Sequence, residues 1–134
     1  MADPTGVVLG TPETLSMTCD SDLSEKAGYA VNLDVADERN VDLAADATLF
    51  PFPLIDGYDG SSDKKQVTIA VGGCTEVKCA ASIVPGDKLT AAADGRWTPA
   101  AAGELYGAIA LEIGAANDLI GVLVRQGEDA AGPY

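Results

Sequence analysis

Carboxylates are the residues of this chain whose types and spacing could most readily do chemistry. Asp56, Asp59 and Asp63 lie in one Gly- and Ser-rich loop, where carboxylate and carbonyl oxygens could hold Ca²⁺. A small hydrolase or calcium-dependent enzyme would use these three side chains. An ordinary surface turn has the same composition, because Gly and Asp both accept turn conformations of the backbone. We expect a surface turn here and keep the calcium-dependent enzyme as an alternative.

A second acidic stretch, at 20–25, resembles the beginning of a calcium-binding EF-hand loop. The spacing fails, because Glu25 stands where that loop requires a glycine. A polar stretch of this kind is typical of a turn or a helix N-cap. We therefore predict no metal site in this segment.

Other catalytic signatures are absent from the sequence. There is no histidine, so the usual general base and metal ligand is missing. No serine or cysteine stands in a nucleophile elbow. The stretch Gly86-Asp87-Lys88-Leu89-Thr90 lacks the glycine spacing and the Lys-Ser/Thr pair of a phosphate-binding loop. We expect that the protein is not an enzyme and that it needs neither a cofactor nor a metal.

The three cysteines cannot all pair with one another. Cys74 and Cys79 are five residues apart, so on a straight strand their side chains point to opposite faces. A disulfide between them would require a tight bend at Thr75 and Glu76. We expect small, buried, reduced thiols and leave that disulfide open.

Charge and length narrow the class of partner. The formal net charge of the 134 residues is -13. Residues 1–63 contain 13 acidic and 2 basic side chains, whereas residues 64–134 contain 8 and 6. Such a charge repels phosphate backbones, so we expect no nucleic-acid partner.

No apolar run reaches the roughly 18 residues of a membrane span, and no secretory signal is visible. We expect one domain, made in a cytoplasm, with no membrane partner.

Residues 66–125 are the elements that the rest of the chain is organised around. Apolar residues alternate with small or polar ones at 67–71, 77–83 and 109–113, and 119–124 is almost wholly apolar. Pro85-Gly86-Asp87 and Asp94-Gly95 are turn signals. Short alternating runs with glycine-rich corners predict a mainly β fold. We expect a small β-barrel or β-sandwich, β-tulip-like, with an extended N-terminal arm and little helix.

The predicted domain organisation is an arm at 1–24, one β-rich domain at 25–127 and a short tail at 128–134. Proline, glycine and threonine interrupt the arm, which reads as extended rather than as part of the core. It contains short apolar patches that could dock in a groove or add a strand to a partner. These patches contain Val7, Val8, Leu9, Leu15 and Met17.

The alternation of apolar and polar residues at 30–43 predicts a hairpin with one solvent-exposed face. A proline-rich apolar stretch follows at 49–55. Pro51 and Pro53 stand at alternate positions, which argues against a central strand. Both phenylalanines of the protein, Phe50 and Phe52, lie here. The stretch either caps the open end of the barrel or forms a contact surface, and capping is the interpretation we favour.

The two halves of the chain show a weak internal similarity, which we call the sequence echo. Leu54 and Leu111 lie at the same separation as Gly57 and Gly114, and a Gly- and Asp-containing loop then leads to an apolar strand in each half. Two related β units that share one barrel would explain this pattern.

The C-terminal half resembles the capsid decoration (cement) proteins of tailed bacteriophages. The resemblance lies in the order and spacing of Gly-Asp-Lys-Leu at 86–89, Asp-Gly at 94–95, Ala-Leu-Glu at 110–112 and the apolar strand at 118–124. It implies a β-barrel-like virion protein on the outer surface of a phage capsid, which it stabilises. It also implies the major capsid protein as partner, a homotrimer on the shell, and capsid contact by the arm through Val7, Val8, Leu9, Leu15 and Met17.

Within that interpretation, Phe50, Phe52 and Trp97 are candidates for the oligomer seam or the core. An alternative of another class is a β-sandwich module that binds carbohydrate or a cell surface. It would use Trp97, Tyr58 and Tyr106 as stacking platforms, although aromatic residues make up only 5% of the chain.

Overall fold

Ten β-strands and no helix make up the regular structure of the described residues. The computed structural model describes residues 12–19, 23, 25–34, 39–45, 49–56 and 65–128. Within these residues, no helix long and apolar enough to cross a bilayer is present. The strands are β1 (Glu13–Cys19), β2 (Ala30–Leu33), β3 (Val41–Leu43), β4 (Phe52–Asp56), β5 (Lys65–Gly72), β6 (Cys74–Lys78), β7 (Lys88–Ala91), β8 (Trp97–Pro99), β9 (Leu105–Ala110) and β10 (Leu119–Glu128).

The strands form two five-stranded sheets. The first has the order β1-β5-β4-β2-β3 and the second the order β6-β10-β9-β7-β8. All paired strands are antiparallel. The predicted mainly β fold is confirmed, and the sheets are open and sandwich-like rather than a closed barrel.

The two sheets are built on one plan. When the strands of each sheet are counted from its own first strand, both sheets have the order 1-5-4-2-3. The backbone hydrogen bonds also correspond: the Gly28 amide donates to the Leu54 carbonyl, and the Gly86 amide donates to the Ala110 carbonyl, both at 2.8 Å. The two related β units that the sequence echo suggested are therefore present, but as two open sheets and not in one shared barrel. Leu54 corresponds to Ala110 in the structure, one residue away from the Leu111 that the echo paired with it.

Each unit has its own hydrophobic cluster. The first cluster lies within residues 17–69 and the second is formed mainly by residues 77–122. Trp97 is the largest side chain that is fully buried, and it belongs to the second cluster. Ala30 and Ala44 of the first unit also pack into the second cluster, so the two units share apolar contacts.

Backbone contacts join the units. The Ala30 amide donates to the Gly95 carbonyl at 2.7 Å, and the Lys78 amide donates to the Gly28 carbonyl at 2.9 Å. A β-carbon on Gly107 would collide with the backbone carbonyl of Pro51. Glycine at 107 therefore allows β9 of the second unit to approach the chain of the first unit closely.

The argument against a central strand in the proline-rich stretch was wrong for residues 52–55. β4 is the middle strand of its sheet, between β5 and β2. Pro53 is tolerated there because the ladders are short and broken. β4 pairs with β2 only at Phe52 and Pro53, and its register with β5 shifts between Leu54 and Asp56.

Residues 13–19, predicted as part of an extended arm outside the core, form the edge strand β1. This strand pairs with β5 along its whole length, and Met17 and Cys19 are buried in the first cluster. The arm interpretation missed the alternation of Leu15, Met17 and Cys19 with serine and threonine, which is typical of a strand. The domain boundaries themselves, including the tail at 128–134, stay a prediction.

Most other local predictions agree with the structure. β2 and β3 pair as in the predicted hairpin, but its solvent-exposed face is not as predicted, because Asn32 is buried and Leu33 is 47% exposed. The Asp87 amide donates to the Val84 carbonyl at 3.1 Å, closing the predicted turn, and Gly95 has a φ of 89° at the predicted hairpin corner between β7 and β8. Ile120, Val122 and Val124 of β10 are buried.

Candidate interaction surface

The predicted arm residues fall into two groups. Val7, Val8 and Leu9 lie outside the described residues. Leu15 and Met17 point to the same face of β1, but Met17 is 7% exposed and Leu15 is 50% exposed. Leu15 is therefore available for contact, whereas Met17 contributes to the core. No further neighbouring strand is paired with β1 in the described part of the chain, except for the single bridge from Thr18 to Asn40.

An exposed apolar depression lies where the first cluster reaches the surface. We call it the aromatic dimple; its volume is about 210 Å³, and it is lined by Leu33, Leu49, Phe50 and Phe52. Phe52 packs against the first cluster, whereas Phe50 is 41% exposed. Because the two sheets do not form a closed barrel, the stretch does not cap a barrel end, and its role as a contact surface stays a prediction. Phe52 serves the core and Phe50 faces solvent.

The backbone around Phe50 is fixed on both sides. Asn32 is buried in β2, and its Nδ2 donates to the Phe50 carbonyl at 3.1 Å. Pro51 is buried, and its carbonyl lies against Gly107 of β9. The exposed phenylalanine is therefore held by two rigid strands.

Trp97 lies in the core and not on the surface. Its side chain is 0% exposed within the second cluster. Tyr106 is half-buried: its ring lies against Gly127, and the Lys88 Nζ is 5.5 Å from the ring centre. Trp97 cannot stack on a sugar from this position, so the carbohydrate-binding alternative loses its main platform. Tyr58 lies outside the described residues.

A second exposed apolar patch was missed by the sequence analysis. Leu111, Ile113 and Val84 are 44%, 75% and 50% exposed, beside the bridge between Ile83 and Gly114. The alternation at 109–113 suggested one continuous strand, but β9 ends at Ala110. Ala108 and Ala110 form the buried face of β9, whereas the larger side chains of Leu111 and Ile113 are exposed.

Many carboxylates of the second unit have a structural role. In three turns, at 84–87, 101–104 and 115–118, the acidic fourth residue accepts a hydrogen bond from the amide of the first residue, at 2.7 to 3.0 Å. The third residue of each turn has a positive φ, at Gly86, Gly103 and Asn117. A strand begins at the residue directly after each turn: β7 at Lys88, β9 at Leu105 and β10 at Leu119. This geometry explains the Gly-Asp-Lys-Leu motif as a turn followed by β7.

The pKa values of two further groups, Asp94 and Cys79, are shifted by their structural surroundings. The backbone amide of Arg96 donates to Asp94, and this hydrogen bond is the main cause of a lowered pKa of the Asp94 carboxyl. Burial, with a smaller effect of the Asp118 charge, raises the pKa of the Cys79 thiol. All three cysteines are free.

Within the described ranges, no cluster of three or more acidic or cysteine side chains could hold a metal ion. Asp59 and Asp63 lie outside the described residues, as does the 20–22 segment, and the Asp56 side chain is not described either.

No family model and no curated protein matches the sequence. Among solved structures, the chain is similar to the head fiber gp8.5 N base of bacteriophage phi29. The TM-score is 0.64 and the sequence identity 19%, over 86% of this chain and 95% of that one. The likeness thus extends over both β units, and at this identity it establishes a shared fold.

Proposed function

We propose that this protein is a structural component of a phage virion, which binds the outer surface of the capsid and stabilises the shell. The observation that carries the proposal is the fold shared with a phage head fiber base over nearly the whole length of both chains. The order of motifs in the C-terminal half, which resembles phage decoration proteins, supports the same role independently of the fold.

The physical properties of the chain fit such a role. Hydrogen-bonded turns and two packed clusters make the described part stiff, while exposed apolar groups at Leu15 and in the aromatic dimple provide adhesive contacts. DNA packed inside a capsid pushes outward on the joints between shell subunits. Many copies of a stiff protein, each bound modestly across such joints, resist this pressure through the sum of their contacts. We propose a mechanical rather than a catalytic role on this basis.

The finer parts of the proposal follow from the resemblance. The major capsid protein is the partner, three copies associate on the shell, and the N-terminal segment takes part in the contact. Leu15, exposed on the edge strand β1, is the described residue that best supports contact by this segment.

Co-sedimentation with capsids tests the proposal. The purified chain is mixed with DNA-filled capsids of the phage that encodes it, after its own copies have been removed. We expect it to pellet in a fixed ratio to the shell protein and to raise the temperature at which DNA is released. If it does not pellet with any form of the head, capsid binding is refuted. If it pellets but the DNA-release temperature does not change, the stabilising role is refuted.

A further inference from the structure

One surface occurs in both β units and is covered in only one of them. In the first unit, a β-carbon on Gly28 would meet Leu119 and the Lys78 amide of the second unit, at 3.3 and 3.4 Å. Gly86, which has the corresponding position in the second unit, is exposed, and a β-carbon there would meet no described atom within 4 Å. The second unit therefore leaves uncovered the surface through which the first unit packs against it.

The uncovered surface of the second unit is apolar. Leu111 takes the place of Ile55, which is half-buried beside Leu119 in the groove between the two units. Leu111 is 44% exposed, and its neighbours Val84 and Ile113 are 50% and 75% exposed. We call Val84, Leu111 and Ile113 the Leu111 patch. A contiguous apolar group of this kind is typical of a contact surface.

The free edge of β6, the first strand of the second unit, covers this surface in the first unit. β6 pairs with β10 on one side only. On its other side the Lys78 amide donates to the Gly28 carbonyl at 2.9 Å, and Thr75 and Glu76 line the groove beside Ile55. The contact inside the chain thus joins the first strand of one unit to the glycine turn of the other.

β1 is the strand of the first unit that corresponds to β6. Leu15 and Thr75 have the same place in the two units, because their strand partners, Ile69 and Val122, pair with equivalent residues of β4 and β9. At this place Leu15 presents an apolar side chain that is 50% exposed. A first strand with an exposed apolar group is therefore available to cover the Leu111 patch of another copy.

The outer edge of β1 also offers hydrogen-bonding groups. The Thr18 amide, which corresponds to that of Lys78, points away from β5 and donates to the Arg39 carbonyl at 2.7 Å. Amides alternate in direction along an antiparallel strand, so the Ser16 amide points away from β5 as well. Ser16 is exposed, and in the described part of the chain no strand pairs with β1 on that side. The edge is closed at Thr18 and open at Ser16, so a repeat of the contact is shifted by two residues.

We propose that the glycine turn and the Leu111 patch of one copy receive the outer edge of β1 of a second copy. The copies then associate head to tail, in a repeat of the contact between the units of one chain. The Ser16 amide faces the Gly86 carbonyl, and Leu15 packs against Leu111. The inference rests on the proposed function, in which three copies associate on the shell, and assigns the surfaces of their seam. Contacts between unlike surfaces form a ring when the rotation closes. Leu15 serves this seam, so contact of the N-terminal segment with the shell falls on its other residues.

Disulfide trapping with full-length variants tests the seam. In a Cys74→Ser background, which retains only the buried Cys19 and Cys79, one variant carries Leu15→Cys and another carries Leu111→Cys. The two are mixed under mild oxidation, in solution and on capsids, at about 0.15 M salt, where charge repulsion is screened beyond about 8 Å. We expect the mixed disulfide to form at least about 10-fold faster than a disulfide of either variant with itself.

Leu33→Cys is the matched control. Leu33 is 47% exposed, close to the exposure of Leu111, but it belongs to the aromatic dimple and not to either surface of the seam. A mixture of Leu15→Cys and Leu33→Cys should link no faster than each variant links with itself. Mass spectrometry of the linked peptides identifies the pair of sites that has reacted.

The outcomes separate the seam from the proposed function. If the mixed disulfide forms no faster than the Leu33 control, both in solution and on capsids, the seam is overturned, whereas capsid binding is judged by co-sedimentation of the wild type. If each variant links to itself as fast as to the other, like surfaces meet and the inference is also overturned. If the mixed disulfide forms in solution but the wild type does not pellet with capsids, the seam is supported and the proposed function is contradicted. Circular dichroism and thermal melting establish that each variant is folded before it is scored.

Discussion

The side chain of Asn32 donates a hydrogen bond to the carbonyl of Phe50, and this contact links β2 of the first unit to the aromatic dimple. The distance from Nδ2 to the carbonyl oxygen is 3.1 Å, and Asn32 is only 9% exposed. A buried polar side chain here serves to fix the backbone on which the exposed phenylalanine is mounted.

Replacing Asn32 by alanine should loosen the dimple without removing any of its apolar groups. We expect a loss of about 1 kcal/mol in the free energy of unfolding, because one partly buried hydrogen bond is lost and a carbonyl is left unpaired. Urea unfolding measures this loss. Capsid affinity should fall as well, because the dimple is one of the adhesive surfaces in the proposed function. An affinity equal to that of the wild type would show that the backbone of Phe50 needs no such support.

The contact between Gly107 and Pro51 should make position 107 intolerant of any side chain. A β-carbon there meets the Pro51 backbone carbonyl, which cannot move away as the end of a flexible side chain could. We expect Gly107→Ala to reduce the free energy of unfolding by about 1 to 3 kcal/mol, the usual range for overpacking. Ala102→Ser, at an exposed position in the neighbouring turn, is the control and should change little. Equal melting temperatures for the two variants would mean that the units do not approach as closely as described.

Trp97 should behave as a core residue in solution. It is the only tryptophan of the chain and is fully buried, so its fluorescence should be blue-shifted and resistant to iodide quenching. Trp97→Ala should cost about 3 to 5 kcal/mol of stability. Emission near that of free tryptophan in the native protein would contradict this placement.

The cysteines should react in a defined order. Cys79 is buried and its thiol has a raised pKa, which keeps it protonated and unreactive; Cys19 is also buried, and Cys74 is half-buried. A thiol reagent at neutral pH should label one site rapidly in the native protein and three after denaturation. Cys74→Ser should remove the rapid phase. Only one reactive thiol in denatured, unreduced protein would instead reveal a disulfide.

Asp94 should give a small contribution to stability that depends on pH. The pKa of Asp94 is lowered in the folded protein, chiefly by the hydrogen bond from the Arg96 amide. The ionised carboxylate therefore stabilises the fold at pH values above the ordinary aspartate pKa of about 4. The contribution is lost as pH falls through the lowered pKa. Because the pair is exposed, we expect less than about 0.5 kcal/mol. Asp94→Asn should therefore melt slightly below the wild type at pH 7, and this difference should disappear as the pH falls below the lowered pKa of Asp94.

Local sequence signals predicted most of the strands and the corners between them. Gly95 and Gly86 stand at turns that require a positive φ, and the β2–β3 hairpin follows from the alternation of Val31 and Leu33 with polar residues. These features depend on neighbours in the chain, so periodicity and turn chemistry are sufficient to find them.

The errors arose where contacts distant in sequence decide the outcome. Pro53 lies in a middle strand because the register of β4 is interrupted, and Ala108 faces the core because Trp97 and its neighbours fill the space beside it. The dimple depends on Leu33 meeting Phe50 and Phe52, which no spacing rule connects. The exposure of Phe50 and the burial of Trp97 likewise followed from packing and not from residue type.

The composition of purified virions tests the central claim most directly. Under the proposed function a phage encodes this chain, and quantitative mass spectrometry of particles of that phage gives the ratio of the chain to the major shell protein. Limited proteolysis of intact particles then shows whether it lies outside. The account predicts a fixed ratio, with the chain cleaved or released before the shell protein is attacked. A chain abundant in infected cells but missing from the particles would contradict the account.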